Sequence, residues 1–242
     1  MNPGIRNSLY LLLLLVTGCG GGSDGESSTP GAGTAYAFIT PVLNSTLSYG
    51  VTIIDNADNT INIGTTSTVT SVDSDGTYVI QTQPTNPTAI VNGTNYADPP
   101  MTQTYNASGQ ELTNVYTNGA VFTCTFDPHG FGPDFPVQVG QTWNLEYTYG
   151  CNSIAPITYS QMGSVIDVET VTVPAGTFSA IKLQSTLTWT DSLGTTRTQT
   201  VTNWRDVATS ISVKEEISYA YSGTLPTNGY PTSRVDQLLS TS

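Results

Sequence analysis

Few residues in this 242-residue chain are placed to do chemistry. A nucleophile triad needs a base held beside a serine or cysteine, and that base is usually a histidine. The chain has one histidine, His129, inside "DPHG". Proline and glycine on either side make that a turn, so His129 reads as a surface loop residue. No nucleophile elbow joins a strand to a helix, no glycine loop cradles a phosphate, and no H-E-x-x-H helix is present. The reading is therefore of a non-enzymatic chain with no catalytic residues, no metal site and no cofactor. Paired carboxylates could cleave a glycoside, but with 18 acids any sequence offers pairs, so the pairs single nothing out.

One carboxylate is out of place. Ile211, Val213, Glu215, Ile217, Tyr219 and Tyr221 share one phase of a strand, which sets Glu215 among apolar neighbours. A buried carboxylate is costly unless paired. Glu215 therefore sits at a bulge or a solvated sheet end, pairs with Arg205 or Arg197, or faces a partly polar cavity. In the last case Trp143, Trp189 and Trp204 would join Glu215 in lining it; otherwise such aromatics are core.

The third reactive residue type is cysteine, at positions 19, 124 and 151. Cys19 follows "LYLLLLLVTG" and precedes "GGGSDGESSTPG". Leu9 to Val16 suits the apolar region of a signal peptide and is far short of the roughly 20 residues of a membrane span. Arg6 is the only charge before it. The whole pattern, a short charged start, a leucine core, small residues, then cysteine, resembles the bacterial lipoprotein signal. That resemblance implies cleavage before Cys19 and acylation of Cys19. Residues 1–18 are then the signal peptide, and the anchor holds the chain to a membrane. Gly20 as the second mature residue implies the outer membrane. Each buried CH₂ contributes about 0.8 kcal/mol, so several acyl chains hold where one does not. Residues 19–34 have no large apolar side chain and read as a tether.

If Cys19 takes lipid, Cys124 and Cys151 remain as an even pair in an oxidising compartment. Phe122, Cys124 and Phe126 share one phase, and so do Trp143, Leu145, Tyr147, Tyr149 and Cys151. Both cysteines fall on the apolar side of a strand, as a disulfide or as two buried thiols. A bridge would stabilise by about 3–4 kcal/mol.

What positions these residues is strand. Charged residues make up 10% of the chain, and threonine, serine, glycine and asparagine abound. Residues 35–242 are long enough for one sizeable core, and no long helical pattern occurs. The expected fold is all-β: a single domain built on a curved antiparallel sheet or incomplete barrel. Leu47, Tyr49, Val51 and Ile53 alternate with polar residues as one strand, and residues 60–83 read as a hairpin about Asp75-Gly76. Residues 101–105 and 112–117 are further strands. "QPTNPTAIVNGTNYADPPM" and "DPHGFGPDFP" read as irregular. Ile181, Leu183, Leu187 and Trp189 alternate with polar residues in the most regular strand. Just before it, the apolar phase flips from Ile166 and Val168 to Val171 and Val173, as a bulge between Glu169 and Thr170 would produce.

Charge is uneven. No lysine or arginine lies between Cys19 and Ile181, where 13 acids fall. Such a surface repels nucleic acid, whose binding needs cationic contacts. "DNADN" (55–59) and "DSDG" (73–76) could attract a cation, but neither has the spacing of a calcium loop, and both are turn sequences first.

The second half has a texture of its own: "FPVQVGQTW" (135–143), "VPAGTF" (173–178), "TLTWTD" (186–191), "TVTNWRDV" (200–207) and "SVKEE" (212–216). From Phe135 to Ile217 this resembles the DUF3108-like exported domains of unknown function. The resemblance implies a curved antiparallel sheet and brings no catalytic residues. Together these features point to an exported lipoprotein of the cell envelope, working as a binding domain for a lipid, a glycan or a protein. The alternatives are a structural or assembly component of the envelope and, third, a polysaccharide hydrolase.

Overall fold

The computed structural model describes residues 33–152, 155–225 and 229–242. Cys19, the 1–18 leader and all but the last two tether residues lie outside them. The strands are β1 (Thr46–Asp55), β2 (Thr60–Val72), β3 (Tyr78–Pro84), β4 (Ile90–Val91), β5 (Thr94–Asn95), β6 (Met101–Tyr105), β7 (Glu111–Asn118), β8 (Ala120–Gly130), β9 (Thr142–Cys151), β10 (Ile157–Val173), β11 (Gly176–Thr190), β12 (Thr195–Asp206), β13 (Ser212–Gly223) and β14 (Pro231–Thr241). No helix occurs among the described residues.

All strands except β4 and β5 form one closed barrel, in the order β1, β14, β13, β12, β11, β10, β9, β8, β7, β6, β3, β2 and back to β1. Every pairing is antiparallel, and apart from β1 against β14 and the β3–β6 step over β4 and β5, each joins strands consecutive in the chain. The expected curved sheet thus closes on itself, which leaves no unpaired edge. Alternation decides which side is which. Leu47, Tyr49, Val51 and Ile53 point inward on β1, and Ile61 and Ile63 do so on β2. Between them, threonine, serine and asparagine point out. On β1 and β2 the apolar phase thus faces inward and the hydroxyl-bearing phase outward.

The chain enters at Thr46 and leaves at Thr241 on one rim, the near rim, where Thr46 and Ser242 exchange backbone hydrogen bonds. The segment before β1 closes that rim. Tyr36 and Val137 exchange two backbone bonds, at 2.8 and 2.9 Å. Phe38 lies parallel to Tyr78 and edge-on to Phe135. It also occupies the space above Gly109, where a Cβ would sit 2.2 Å from the ring, at φ +75°. The tip of the β10–β11 hairpin reaches across to β14, where Ala175 N–H donates to Leu238 O.

The far rim is covered by residues 85–100, which the sequence marks as irregular and which contain the small β4–β5 hairpin. Two polar contacts tie this cover down. Tyr96 Oη donates to Asp55 Oδ2 at 3.2 Å. Asp98 takes both Nη atoms of Arg234, whose Nε and Nη2 also bind Asp236 in a fork at 2.7 Å.

Two expectations shift. The bulge in β10 falls at Ile166, between Val165 and Asp167, rather than between Glu169 and Thr170; Ile166 is the residue turned out to solvent. And β8 runs on through Asp127 to Gly130, the first four of the ten residues of the expected loop. Its pairing with β7 passes from Thr113–Thr125 to Glu111–Gly130, leaving four residues of β8 opposite one of β7, so a strand absorbs the Pro-His-Gly run. Cys124 and Cys151 face each other directly and are joined by a disulfide.

Arg234 is 3% exposed, and removing it strands two buried carboxylates. Arg234→Ala should lower unfolding free energy by about 3–5 kcal/mol in urea titration. Lys182→Ala, which breaks a half-exposed pair, should cost under about 1 kcal/mol.

Candidate functional site

A barrel of twelve strands has a wide interior, and the question is what occupies it. Much of the answer is aromatic. Tyr78 stacks on Tyr105 with centroids 5.1 Å apart, and Tyr147 stacks on Tyr159 at 5.2 Å. Trp189 packs on Tyr159, and Phe126 packs on Tyr149. The small cavity found between Thr65, Thr82, Met101, Gln103, Asp98 and Arg234 measures about 10 Å³, the size of one water. A lipid chain would have no room there.

The rest of the filling is polar and buried. Glu111, 2% exposed, accepts from Gln103 Nε2 at 3.1 Å and Asn114 Nδ2 at 3.2 Å. Burial pushes its carboxyl up to about 8, with the two amides pulling the other way. Glu215 is the second such group. It takes a 2.8 Å bond from Asn203 Nδ2, and Asn203 Oδ1 in turn accepts Arg205 Nε at 3.3 Å. Glu215 therefore does point inward among apolar neighbours, and an asparagine links it to Arg205. Burial, then the charge of Asp236, pushes Glu215 up to about 8. Arg205, 4% exposed, is held below its ordinary value by burial. Arg205 Nη1, Tyr78 Oη, Tyr147 Oη and Trp189 Nε1 have no partner among the described residues.

The three tryptophans and Glu215 do not line one cavity. Trp189 and Glu215 face the filled interior. Trp143 lies half-buried at the near rim, beside Val165 and Leu183. Its ring rests on Gly163, where a Cβ would come within 2.1 Å of it. Trp204 faces out. Its Nε1 bonds to Glu169 Oε1, and Lys182 and Lys214 lie 5.1 and 4.8 Å from the ring centroid. His129 Nε2 is 3.8 Å from Asp134, with no hydroxyl or thiol paired to it. Asp55 and Asp75 spend their carboxylates on turn amides: Ala57 and Asn59 for the first, Thr77 for the second.

Sequence reasoning missed Glu111 and the Arg234 cluster. Glu111 escapes because a register shift between Glu111 and Thr113 breaks the alternation. Arg234 carried a readable sign: Arg234 and Asp236 lie two apart on one strand face and can pair.

The outside of β9–β12 holds an open groove of about 580 Å³. Thr142, Trp143, Asn144, Met162, Ser164, Gln184, Thr186 and Thr200 line it, with Gly163 and Ser185.

No family model and no curated protein matches the chain. Solved structures do. An exported protein with a YmcC-like fold, from Bacteroides fragilis, aligns at TM-score 0.50 and 13% identity, over 86% of this chain and 100% of its own. That likeness shows the fold alone. A structure described as a lipoprotein from Parabacteroides distasonis aligns at TM-score 0.45 and 11% identity, over 86% and 99%. The Escherichia coli lipoprotein YmcC aligns at 0.40 and 14%, over 82% and 84%.

The raised carboxyls set a pH dependence. Both bind protons in the folded chain well above the unfolded value of about 4.3, so folding is favoured fully below that value and progressively less up to about pH 8. The urea midpoint should therefore be higher at pH 5 than at pH 8.5. Glu111→Gln and Glu215→Gln should raise it at pH 8.5 and flatten the slope between.

Proposed function

We propose that this chain is a non-enzymatic lipoprotein of the bacterial cell envelope, cleaved before Cys19 and held in the outer membrane by acyl chains on that residue. Residues 19–34 form the tether, and residues 35–242 form one binding domain that works through its outer surface. The observation that carries this is the filled interior: side chains occupy the lumen, so a ligand meets the molecule from outside. Export fits the Cys124–Cys151 bridge, which persists in oxidising compartments. The bland charge pattern fits too, since a surface with net charge −12 has no affinity for nucleic acid. A structural role in envelope assembly is the second reading, favoured by the closed edges and two covered rims; a stoichiometric partner on purification would support it. A hydrolase needs two carboxylates facing one groove, and the groove on β9–β12 has none.

Intact-mass measurement of the detergent-extracted protein should give a chain starting at Cys19 and carrying acyl mass. Cys19→Ser should leave the leader uncleaved. A mature chain with a free Cys19 thiol would overturn the anchor.

A further inference from the structure

The outer face of β9–β12 differs from the rest of this acidic chain. The register sets Asn144, Met162, Thr186 and Thr200 in one row across four strands, and Thr142, Ser164, Gln184 and Thr202 in the next. These eight side chains include no ionisable group, although the chain holds 18 acids and 6 bases. The nearest charges are Glu146 on β9, to one side, and, to the other, Glu216 on β13, which pairs with Thr202 and binds Lys214 at 2.6 Å, together with the Lys182 and Glu169 pair beside Trp204. Asn144, Gln184 and Thr200 are exposed and make no side-chain hydrogen bond to another described residue, so their amides and hydroxyl are open to solvent, with the half-buried Thr186 between them. Met162, 60% exposed, supplies one apolar contact.

We propose that this groove binds a neutral glycan chain. The proposal rests on the reading that the outer surface is the working face. The chemistry selects the ligand class. An anionic polymer would want cations, and the groove has none. A protein partner would want a desolvated apolar centre, and Met162 with the half-buried Trp143 at one end does not make one. A lipid tail would want continuous apolar lining. What a row of free amides and hydroxyls fits is a ligand that is itself uncharged and hydroxyl-rich, exchanging its water hydrogen bonds for protein ones and laying a C–H face on Met162. The groove is open, so a chain longer than its bound segment can run through.

The test is affinity of the mature, detergent-extracted protein for cellohexaose, maltohexaose, mannohexaose and chitohexaose, with hexagalacturonate as the charged comparison. At least one neutral hexamer should bind, and hexagalacturonate should bind more weakly than it. Asn144→Ala with Gln184→Ala should weaken binding by about tenfold or more, and Thr200→Arg should block it. The melting temperature should stay the same, because Asn144, Gln184 and Thr200 are exposed. No binding of any neutral hexamer, or preference for hexagalacturonate, would overturn the proposal. So would binding that survives all three substitutions, though that outcome would leave the outer surface as the working face. A co-purifying lipid lost on Leu187→Trp would instead place a ligand in the interior and overturn the reading beneath it.

Discussion

Closing twelve strands into a ring creates an interior that must be filled, and everything else in this molecule answers to that demand. Aliphatic side chains fill the part near β1 and β2. On the β6–β11 side the volume is taken by tyrosines, which are long enough to reach the centre and bring a hydroxyl with them. Each buried hydroxyl then wants a partner. Gln103 and Asn114 meet part of that demand, at Tyr105 and Tyr149, and these amides with Asn203 in turn donate to two buried glutamates whose carboxyls burial pushes up to about 8. The polar interior is thus a consequence of barrel size, and it needs no catalytic explanation.

The same demand explains the covers. An open barrel end would admit water to the stacked rings. The segment before β1, the β10–β11 tip and residues 85–100 seal the two rims, and each is fixed by a contact with a direction: a backbone exchange at Tyr36, an amide into the unpaired end of β14, an arginine fork at Arg234. These are specific where the apolar filling is permissive.

Much of this was legible in the sequence. The alternation along β1, β2 and β11 is regular because each packs one face on the interior, and period two follows from that alone. The cysteine pair was legible because both residues keep the apolar phase of their strands. Less was legible where alternation breaks. The β10 bulge fell at Ile166 because the turned-out residue happens to be apolar, which masks the phase change. Glu111 lay behind a second register shift. Closure itself could not be read, because β1 and β14 pair across nearly the whole length of the chain, and no local pattern specifies a partner at that distance. As for the groove, the run of threonines in β11 and β12 looks like ordinary strand composition. Only the register shows that its outer rows form a charge-free field.

The short N-terminal strap has a mechanical meaning. Any pull on the segment before β1 reaches the barrel first through the two Tyr36–Val137 backbone bonds and the ring of Phe38, seated over Gly109. Those few contacts would yield before β1, which is held along both sides by β2 and β14. The strap is therefore held at a few points, Ile39 N–H on Ser210 Oγ among them, whereas the β1 strand behind it is bonded along its whole length.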